Sequence, residues 1–396
     1  MQISGGATKS PVILNGRRAV AIMFLVNGAL WGAWAPHIPL MLPRHQITES
    51  TLGLLILALG LGAVAAMAFA GRMIAQHGSR AVLRVFAPLA CLTLPLVVIS
   101  PNLWLLTPAV MLMGALFGLM DVAMNANAVE VERRLGQAIM SSSHGFWSIG
   151  GFVGGASGGW IITQIGALPH AGIVAGIGLA AALLATPHLI GEPPAPLLHP
   201  VSGKRQSHWP RGSAIYVIGL MALCAMVPEG AVLDWAALYL AQEMHSDLAV
   251  SGLAFAFFSG SMAVMRFGGD AVRNRFGAVA TLRASGLIAA AGLLGASFAP
   301  TAPLAIACFA VAGLGIANMV PILLSAAGNH PGLAQGAGIS TVTMLGYSGI
   351  LLAPSSIGFV AEQIGFRVTY GVLALLLVAV ATQAGRAAAA DHRQVH

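Results

Sequence analysis

The chain has 396 residues, of which 57% are hydrophobic and only 8% are charged. Soluble proteins carry about 25% charged residues, so this chain cannot cover itself with a water-facing surface. Its formal net charge is +7, but the basic residues stand in short gaps between apolar runs, which excludes a nucleic-acid-binding surface. Three cysteines scattered through apolar segments argue against a disulfide or metal framework. The composition therefore indicates a polytopic membrane protein.

Twelve apolar runs are long enough to cross the hydrocarbon core, which needs about 20 residues per helix. The predicted spans are 19–42, 51–75, 82–100, 103–132, 137–165, 168–190, 213–241, 247–272, 279–299, 302–328, 333–362 and 366–386. The predicted domains are a tail 1–18, a six-helix bundle 19–190, a polar linker 191–212, a second six-helix bundle 213–386 and a tail 387–396. We expect an all-α fold in which the linker is a flexible tether. A regulatory or metal-binding role for His199 and His208 is the alternative.

The distribution of Lys and Arg predicts the orientation in the membrane. With the N-terminus in the cytoplasm, every Lys and Arg except Arg44 and Arg367 falls in a cytoplasmic loop or at a cytoplasmic helix end. Arg72 and Arg266 are assigned to such helix ends. We therefore expect both termini to lie in the cytoplasm, in the inner membrane of a bacterium.

The two halves match each other at a constant offset of 199 residues. The segment 78–84 (GSRAVLR) matches 277–283 (GAVATLR), and 164–166 (QIG) matches 363–365 (QIG). Glycines at 114, 150 and 159 repeat in the same register. Parallel repeats of this kind are typical of transporters that expose one central site alternately to each side of the membrane.

This organisation resembles the major facilitator superfamily over essentially the whole chain. The loop 71–78 (GRMIAQHG) has Ala75 and Gln76 where that superfamily usually has an acid and a base, and 269–277 (GDAVRNRFG) keeps charges at a different spacing. The resemblance implies two six-helix bundles related by a pseudo-two-fold axis. It also implies a gating role for these cytoplasmic loops, through Gly71, Gly78, Arg80, Asp270 and Gly277.

A more particular resemblance lies in 121–130 (DVAMNANAVE) followed by 142–145 (SSHG). These segments are similar to the group that contains the rhizopine-transport protein MosC, and to the fucose–proton symporter branch. The resemblance favours proton-coupled uptake of a sugar, polyol or inositol derivative. A shared fold does not by itself transfer a substrate.

Three acidic residues are predicted well inside the membrane, namely Asp121, Glu229 and Asp234. An ionisable group at that depth costs at least about 2.5–3.5 kcal/mol on insertion scales and usually faces a wet cavity or a partner. We expect no Lys or Arg to lie deep enough to neutralise them. Because an apolar environment disfavours the charged form of a carboxylate, these residues are candidates for proton coupling.

Asp121 is the first choice for coupling, because Gly114, Gly118, Asp121 and Asn125 share one helix face. His144, early in the fifth span, is predicted at a similar depth and completes a candidate cluster with Asp121 and Asn125. The alternative is a hydrogen-bonded clasp between the fourth and fifth spans.

In the seventh span, Glu229 and Asp234 are five residues apart, about 140° around the helix, so both cannot face one cavity squarely. Pro228 precedes Glu229 and is expected to bend the helix there. The spacing leaves open which of the two carboxylates faces the cavity.

Candidate substrate contacts begin with Asn27 and Trp31, one helical turn apart in the first span. Trp147 and Tyr347 are weaker candidates of the same kind, alongside Asn125 and Glu229. Aromatic faces attract cations and stack on the apolar face of sugars. The alternative for the tryptophans is helix packing or the interfacial belt.

Glycines at 150, 154 and 158 form a small-residue seam in the fifth span. The seam resembles the signature of drug–proton antiporters, which keeps efflux of amphipathic compounds as the alternative function, although packing alone explains it as well. A membrane receptor or scaffold is a second alternative.

No phosphate-binding Gly-rich loop ends in Lys-Ser/Thr, and we expect no enzyme activity, no metal and no cofactor. The expected partners are a small solute, protons and lipid around a monomer, with no nucleic acid.

Overall fold

The computed structural model describes residues 10–136, 139–191, 213–330 and 337–391, so the predicted linker with His199 and His208 lies outside the described residues. Twelve helices carry the fold. They are α1 (Pro11–His45), α2 (Glu49–His77), α3 (Ser79–Ile99), α4 (Leu103–Leu135), α5 (Met140–Ile165), α6 (Ala167–His188), α7 (Ser213–Glu243), α8 (Leu253–Phe276), α9 (Ala278–Phe298), α10 (Ala302–Gly328), α11 (337–364) and α12 (366–382).

The predicted all-α membrane fold is confirmed, and each predicted span overlaps one of these helices. Ten helical stretches in the described part of the chain are long and apolar enough to cross a membrane. One of the ten contains both α11 and α12, which are separated by the non-helical Gly365. The helix α5 is not among the ten, because its many glycines and serines lower its hydropathy.

Four helix reversals repeat between the halves and depend on glycine. Gly78 and Gly277 have φ of 81° each, between α2 and α3 and between α8 and α9. Gly166 (φ 93°) and Gly365 (φ 81°) stand between α5 and α6 and between α11 and α12. Residues with a Cβ rarely adopt this left-handed conformation. The matched positions show that the 199-residue repeat in the sequence is a repeat in the backbone.

The packing of the helices follows the same repeat. In the N-terminal half α1 packs on α5 and α2 on α4, and in the C-terminal half α7 packs on the α11–α12 pair and α8 on α10. The halves meet where α5 packs on α8 and where α2 packs on α11. In the repeat α2 corresponds to α8 and α5 to α11, so the α5–α8 contact is equivalent to the α2–α11 contact. A pseudo-two-fold axis between the bundles requires this equivalence.

The glycine seam of α5 is used for helix packing on two sides. A Cβ on Gly150 or Gly154 would overlap the backbone of α1, and one on Gly159 would overlap the backbone at Leu248, just before α8. From the other helix, a Cβ on Gly28 of α1 would overlap the backbone of Trp147. Small residues permit this close approach, and they bring α5 into backbone contact with α1 and with the segment that precedes α8.

The bundle has one face that carries the chain termini and an opposite face, called here the far face, where α1 ends and α2 begins. The halves are in close contact at the far face. Gly53 of α2 lies against Pro354 and Ser355 of α11, and Gly252, just before α8, lies against Pro36 of α1. The structure is therefore closed at the far face.

We expect Gly28→Ala to separate α1 from α5, because the added methyl has no space beside the backbone of Trp147. Overpacking of this kind lowers the free energy of unfolding by about 1–3 kcal/mol. Chemical unfolding of the detergent-purified protein measures the change. The matched control is Gly172→Ala in α6, where a Cβ meets open space and alanine is the better helix former. Equal destabilisation by both variants would contradict the packing described here.

Candidate functional site

Arg266 of α8 is the centre of a polar network that joins the two halves. Its Nη2 lies 3.3 Å from Oε1 of Glu229 on α7, in the same half. Its Nη1 donates to Oγ of Ser148 (2.6 Å) and to the carbonyl oxygen of His144 (3.5 Å), both on α5 of the other half. The side chain of Arg266 is 15% exposed, so these partners replace most of its hydration.

Two sequence expectations about this region are wrong. Arg266 does not lie at a helix end, because α8 continues to Phe276. Glu229 does have a basic partner inside the bundle, contrary to the expectation that no Lys or Arg lies deep enough. The sequence prediction missed this pair because it assigned every basic residue to the membrane surface. Among the ion pairs of the described residues, it is the only one between α7 and α8.

Trp147 and Asn27 extend the network into the N-terminal half. The guanidinium carbon of Arg266 lies over the ring of Trp147, 5.8 Å from its centroid. Nε1 of Trp147 donates to Oδ1 of Asn27 at 2.9 Å. Asn27 is buried, and its Nδ2 donor has no acceptor among the described residues. The structure thus brings together three of the predicted site residues, Asn27, Trp147 and Glu229, with Arg266 as the link.

Trp31 stands one turn from Asn27 on α1 and is half-buried. Its ring meets Phe117 of α4 edge to face, with centroids 5.1 Å apart. This contact fixes the ring between α1 and α4, so Trp31 has both a packing role and a partly open surface.

Asp121 and Asn125 form a pair along one face of α4. Nδ2 of Asn125 donates to Oδ1 of Asp121 (3.3 Å) and to its carbonyl oxygen (2.9 Å), and both residues are half-buried. The predicted third member, His144, makes no hydrogen bond to either of them among the described residues. Its ring lies edge-on against Phe24 of α1, because α5 packs on α1 and α8 more than on α4.

Asp234 is in a different environment from Glu229. It is 6% exposed, and it has no hydrogen bond or ion pair to any described residue. Glu229, about one and a half turns away on α7, is half-buried and paired with Arg266. The five-residue spacing therefore separates the two carboxylates, as expected, into one that is paired at the junction of the halves and one that is enclosed.

The remaining predicted residues lie outside this network. Gly78 and Gly277 form the helix reversals on the termini face, and a Cβ on Gly71 would meet open space. Arg80 donates from Nη2 to the carbonyl oxygen of Pro187 (3.0 Å), within its own half. The side chains of Asp270 and Tyr347 lie outside the described residues.

Ser148 and Arg266 are the functional candidates that sequence reasoning missed. Ser148 follows Trp147 directly and gives no signal of its own. Arg266 lies six residues before the end of the predicted span 247–272 and ten before the end of α8, so the predicted boundary placed it nearer the membrane surface than the structure does.

Comparisons with known proteins agree with this architecture. The sequence model described as Major Facilitator Superfamily matches residues 20–354. An uncharacterised MFS-type transporter of Yersinia pestis is 35% identical over 92% of this chain and 93% of that protein. The membrane protein MosC of Rhizobium meliloti is 32% identical over 91% of this chain and 86% of its own.

Solved structures of the same fold include a nucleoside transporter and a sugar symporter. The nucleoside transporter NupG has a TM-score of 0.70 at 14% identity, covering 96% of this chain and 99% of that chain. The D-xylose–proton symporter has a TM-score of 0.72 at 14% identity, covering 94% and 97%. At these identities the likeness shows the fold.

Breaking the ion pair at the junction should show strong coupling between its members. We expect Arg266→Gln to lower the free energy of unfolding by roughly 1–3 kcal/mol, because the partly exposed Glu229 is left without its partner. The double variant Arg266→Gln, Glu229→Gln should lose less free energy of unfolding than the sum of the losses in the two single variants. A double-mutant cycle of chemical unfolding measures this coupling.

The control for that cycle is Arg133→Gln, which removes the 70% exposed partner of Glu130. Surface ion pairs contribute about 0–1 kcal/mol to stability, so we expect little change in the free energy of unfolding. Strict additivity of the two changes at 229 and 266 would contradict a functional ion pair there.

Proposed function

The chain belongs to the Major Facilitator Superfamily, and we propose that it carries a small polar solute together with protons by alternating access. The proposed solutes are sugars, polyols and inositol derivatives. The observation that carries this proposal is the network of Asn27, Trp147, Arg266 and Glu229, which spans both halves at the point where they meet. A solute bound there contacts both bundles, so its binding is sensitive to their relative movement.

The chemistry of the network fits a polyhydroxyl solute. Glu229 supplies acceptors, Arg266 supplies donors, and the unpartnered Nδ2 of Asn27 supplies a further donor. The ring of Trp147 gives a flat surface for the apolar face of a sugar ring, as does the open part of Trp31. The pair of Asp121 and Asn125 adds a carboxylate and an amide on α4. Two fold relatives that transport xylose and nucleosides support this solute class.

Proton coupling is assigned to carboxylates that lack a cationic partner. Glu229 is paired with Arg266 and is assigned to the solute and to the junction of the halves. Asp234 and Asp121 have no ion pair among the described residues. Carboxylates within membrane-spanning helices commonly serve in proton relays, and these two are not paired with a cation, so they are the proposed proton carriers. His144 keeps at most a supporting role, because it is bonded to neither.

The distribution of basic residues supports the proposed placement. We place both termini in the cytoplasm of a bacterial cell and the far face on the outside of the inner membrane, with the protein acting as a monomer. In this placement the structure is closed to the outside. The glycine seam of α5 packs against α1 and α8, so it gives no separate support to export of amphipathic compounds.

We expect Asp234→Asn and Asp121→Asn to abolish proton-driven accumulation in proteoliposomes while exchange of labelled for unlabelled solute continues. The reason is that an amide binds no proton in this pH range, whereas exchange needs no net proton movement. The solute is the member of a panel of pentoses, hexoses, inositols and amino-inositols that raises the melting temperature of the purified protein. A ligand that binds only the folded protein, at a concentration a hundred times its dissociation constant, raises the free energy of unfolding by about 2.7 kcal/mol.

The variant Glu229→Gln should instead lower the apparent affinity in both assays, by about tenfold for the loss of a charged hydrogen bond. The matched control is Asp247→Asn, at the cap of the short helix Leu248–Ser251, because asparagine caps as well as aspartate. Normal accumulation in both the Asp234→Asn and Asp121→Asn variants would reject the assigned coupling.

A further inference from the structure

A carboxylate of one half caps a helix of the other half at the far face. Oε2 of Glu362, near the end of α11, accepts the backbone N–H of Ser50 in the first turn of α2, at 2.9 Å. The neighbouring backbone N–H of Thr51 donates to Oγ1 of Thr48, which belongs to the same half. The first turn of α2 is therefore capped partly from within and partly from across the junction.

Glu49 makes a second contact across the same edge. Its Oε1 accepts from Nε2 of Gln242 on α7 at 2.6 Å. A Cβ on Gly358 of α11 would lie 2.7 Å from the carbonyl oxygen of Glu49, so the two backbones are in close contact at this point. The first turn of α2 is thus held by α7 through a side chain and by α11 through a side chain and the backbone.

The symmetry-related edge between α5 and α8 does not repeat the bond of Glu362. The residue equivalent to Glu362 is Thr163, whose hydroxyl donates to the carbonyl oxygen of Trp160 in its own helix. At this edge Gly159 packs directly on the backbone at Leu248. Gly358 packs on the backbone at Glu49 in the equivalent place, so both edges are closed by glycine packing, and the α2–α11 edge adds the bonds of Glu362 and Gln242 across the junction.

We propose that Glu362, with the Glu49–Gln242 pair, is a latch that holds the far face closed and sets the balance between the two access states. A carboxylate is favoured at a helix N-terminus by the exposed N–H groups and by the helix dipole. When the halves part at the far face, Ser50 and Gln242 lose their partners, so these bonds stabilise the closed state selectively. The inference rests on alternating access in this family and is independent of the identity of the solute.

The latch is tested by the distance between the halves at the far face. Pro101, between α3 and α4, and Pro300, between α9 and α10, are exposed and occupy equivalent positions in the two halves. Spin labels on cysteines at these two positions report far-face opening by pulsed electron resonance, after Cys91, Cys224 and Cys308 have been replaced. We expect Glu362→Ala to raise the ratio of long to short distances about fivefold, within the range measured for loss of a helix cap.

A matched control exists in the same half. Oε1 of Glu243 accepts the backbone N–H of Phe366 at the start of α12, at 2.8 Å, so it caps a helix without crossing the junction. The variant Glu243→Ala should leave the distance distribution unchanged, while Gln242→Ala should shift it in the same direction as Glu362→Ala.

An unchanged distribution in a folded, monodisperse Glu362→Ala protein would overturn the proposal, as would an equal shift in Glu243→Ala. Because no solute is present, this result is separate from the transport assays. A missing solute or a missing proton flux would reject the proposed function and leave the latch standing.

Discussion

The interior of a bilayer offers no hydrogen bonds, so a polar group placed there is stabilised by partners within the protein. This constraint explains why Arg266 is bonded to Glu229, Ser148 and the carbonyl oxygen of His144, and why Trp147 stacks beneath it. Those partners lie on helices from both bundles. A single buried cation thereby ties the junction of the halves to the residues best suited to bind a solute.

Close backbone packing makes this network possible. The glycines of α1 and α5 let the two helices approach until Trp147 reaches Asn27, and the glycines of α5 do the same for α8. Glycines pack on the backbone at both edges of the junction, and one edge adds the bonds of Glu362 and Gln242. The two halves share one backbone plan, and the bonds of Glu362 and Gln242 break the symmetry of their junction.

The sequence predicts the helices and the repeat well, because hydropathy and glycine position act locally. The reversals at Gly78 and Gly277, and at Gly166 and Gly365, follow from residues that tolerate left-handed backbone. The pairing of Asp121 with Asn125 also follows from helical spacing. Contacts between distant helices do not follow in this way. The bond from Arg266 to Ser148 joins residues 118 positions apart, and His144 lies against Phe24 because of helix packing that spacing alone cannot specify.

The central claim is that a polar solute crosses with protons through the site around Arg266. The most direct measurement records the pH of a lightly buffered medium around proteoliposomes when a solute is added without any other driving force. Pentoses, hexoses, inositols, amino-inositols and cationic dyes are added in turn. We expect a polyhydroxyl solute to make the medium more alkaline, because protons enter with it. Acidification by a cationic dye, with no response to any polyhydroxyl solute, would contradict it and identify an antiporter.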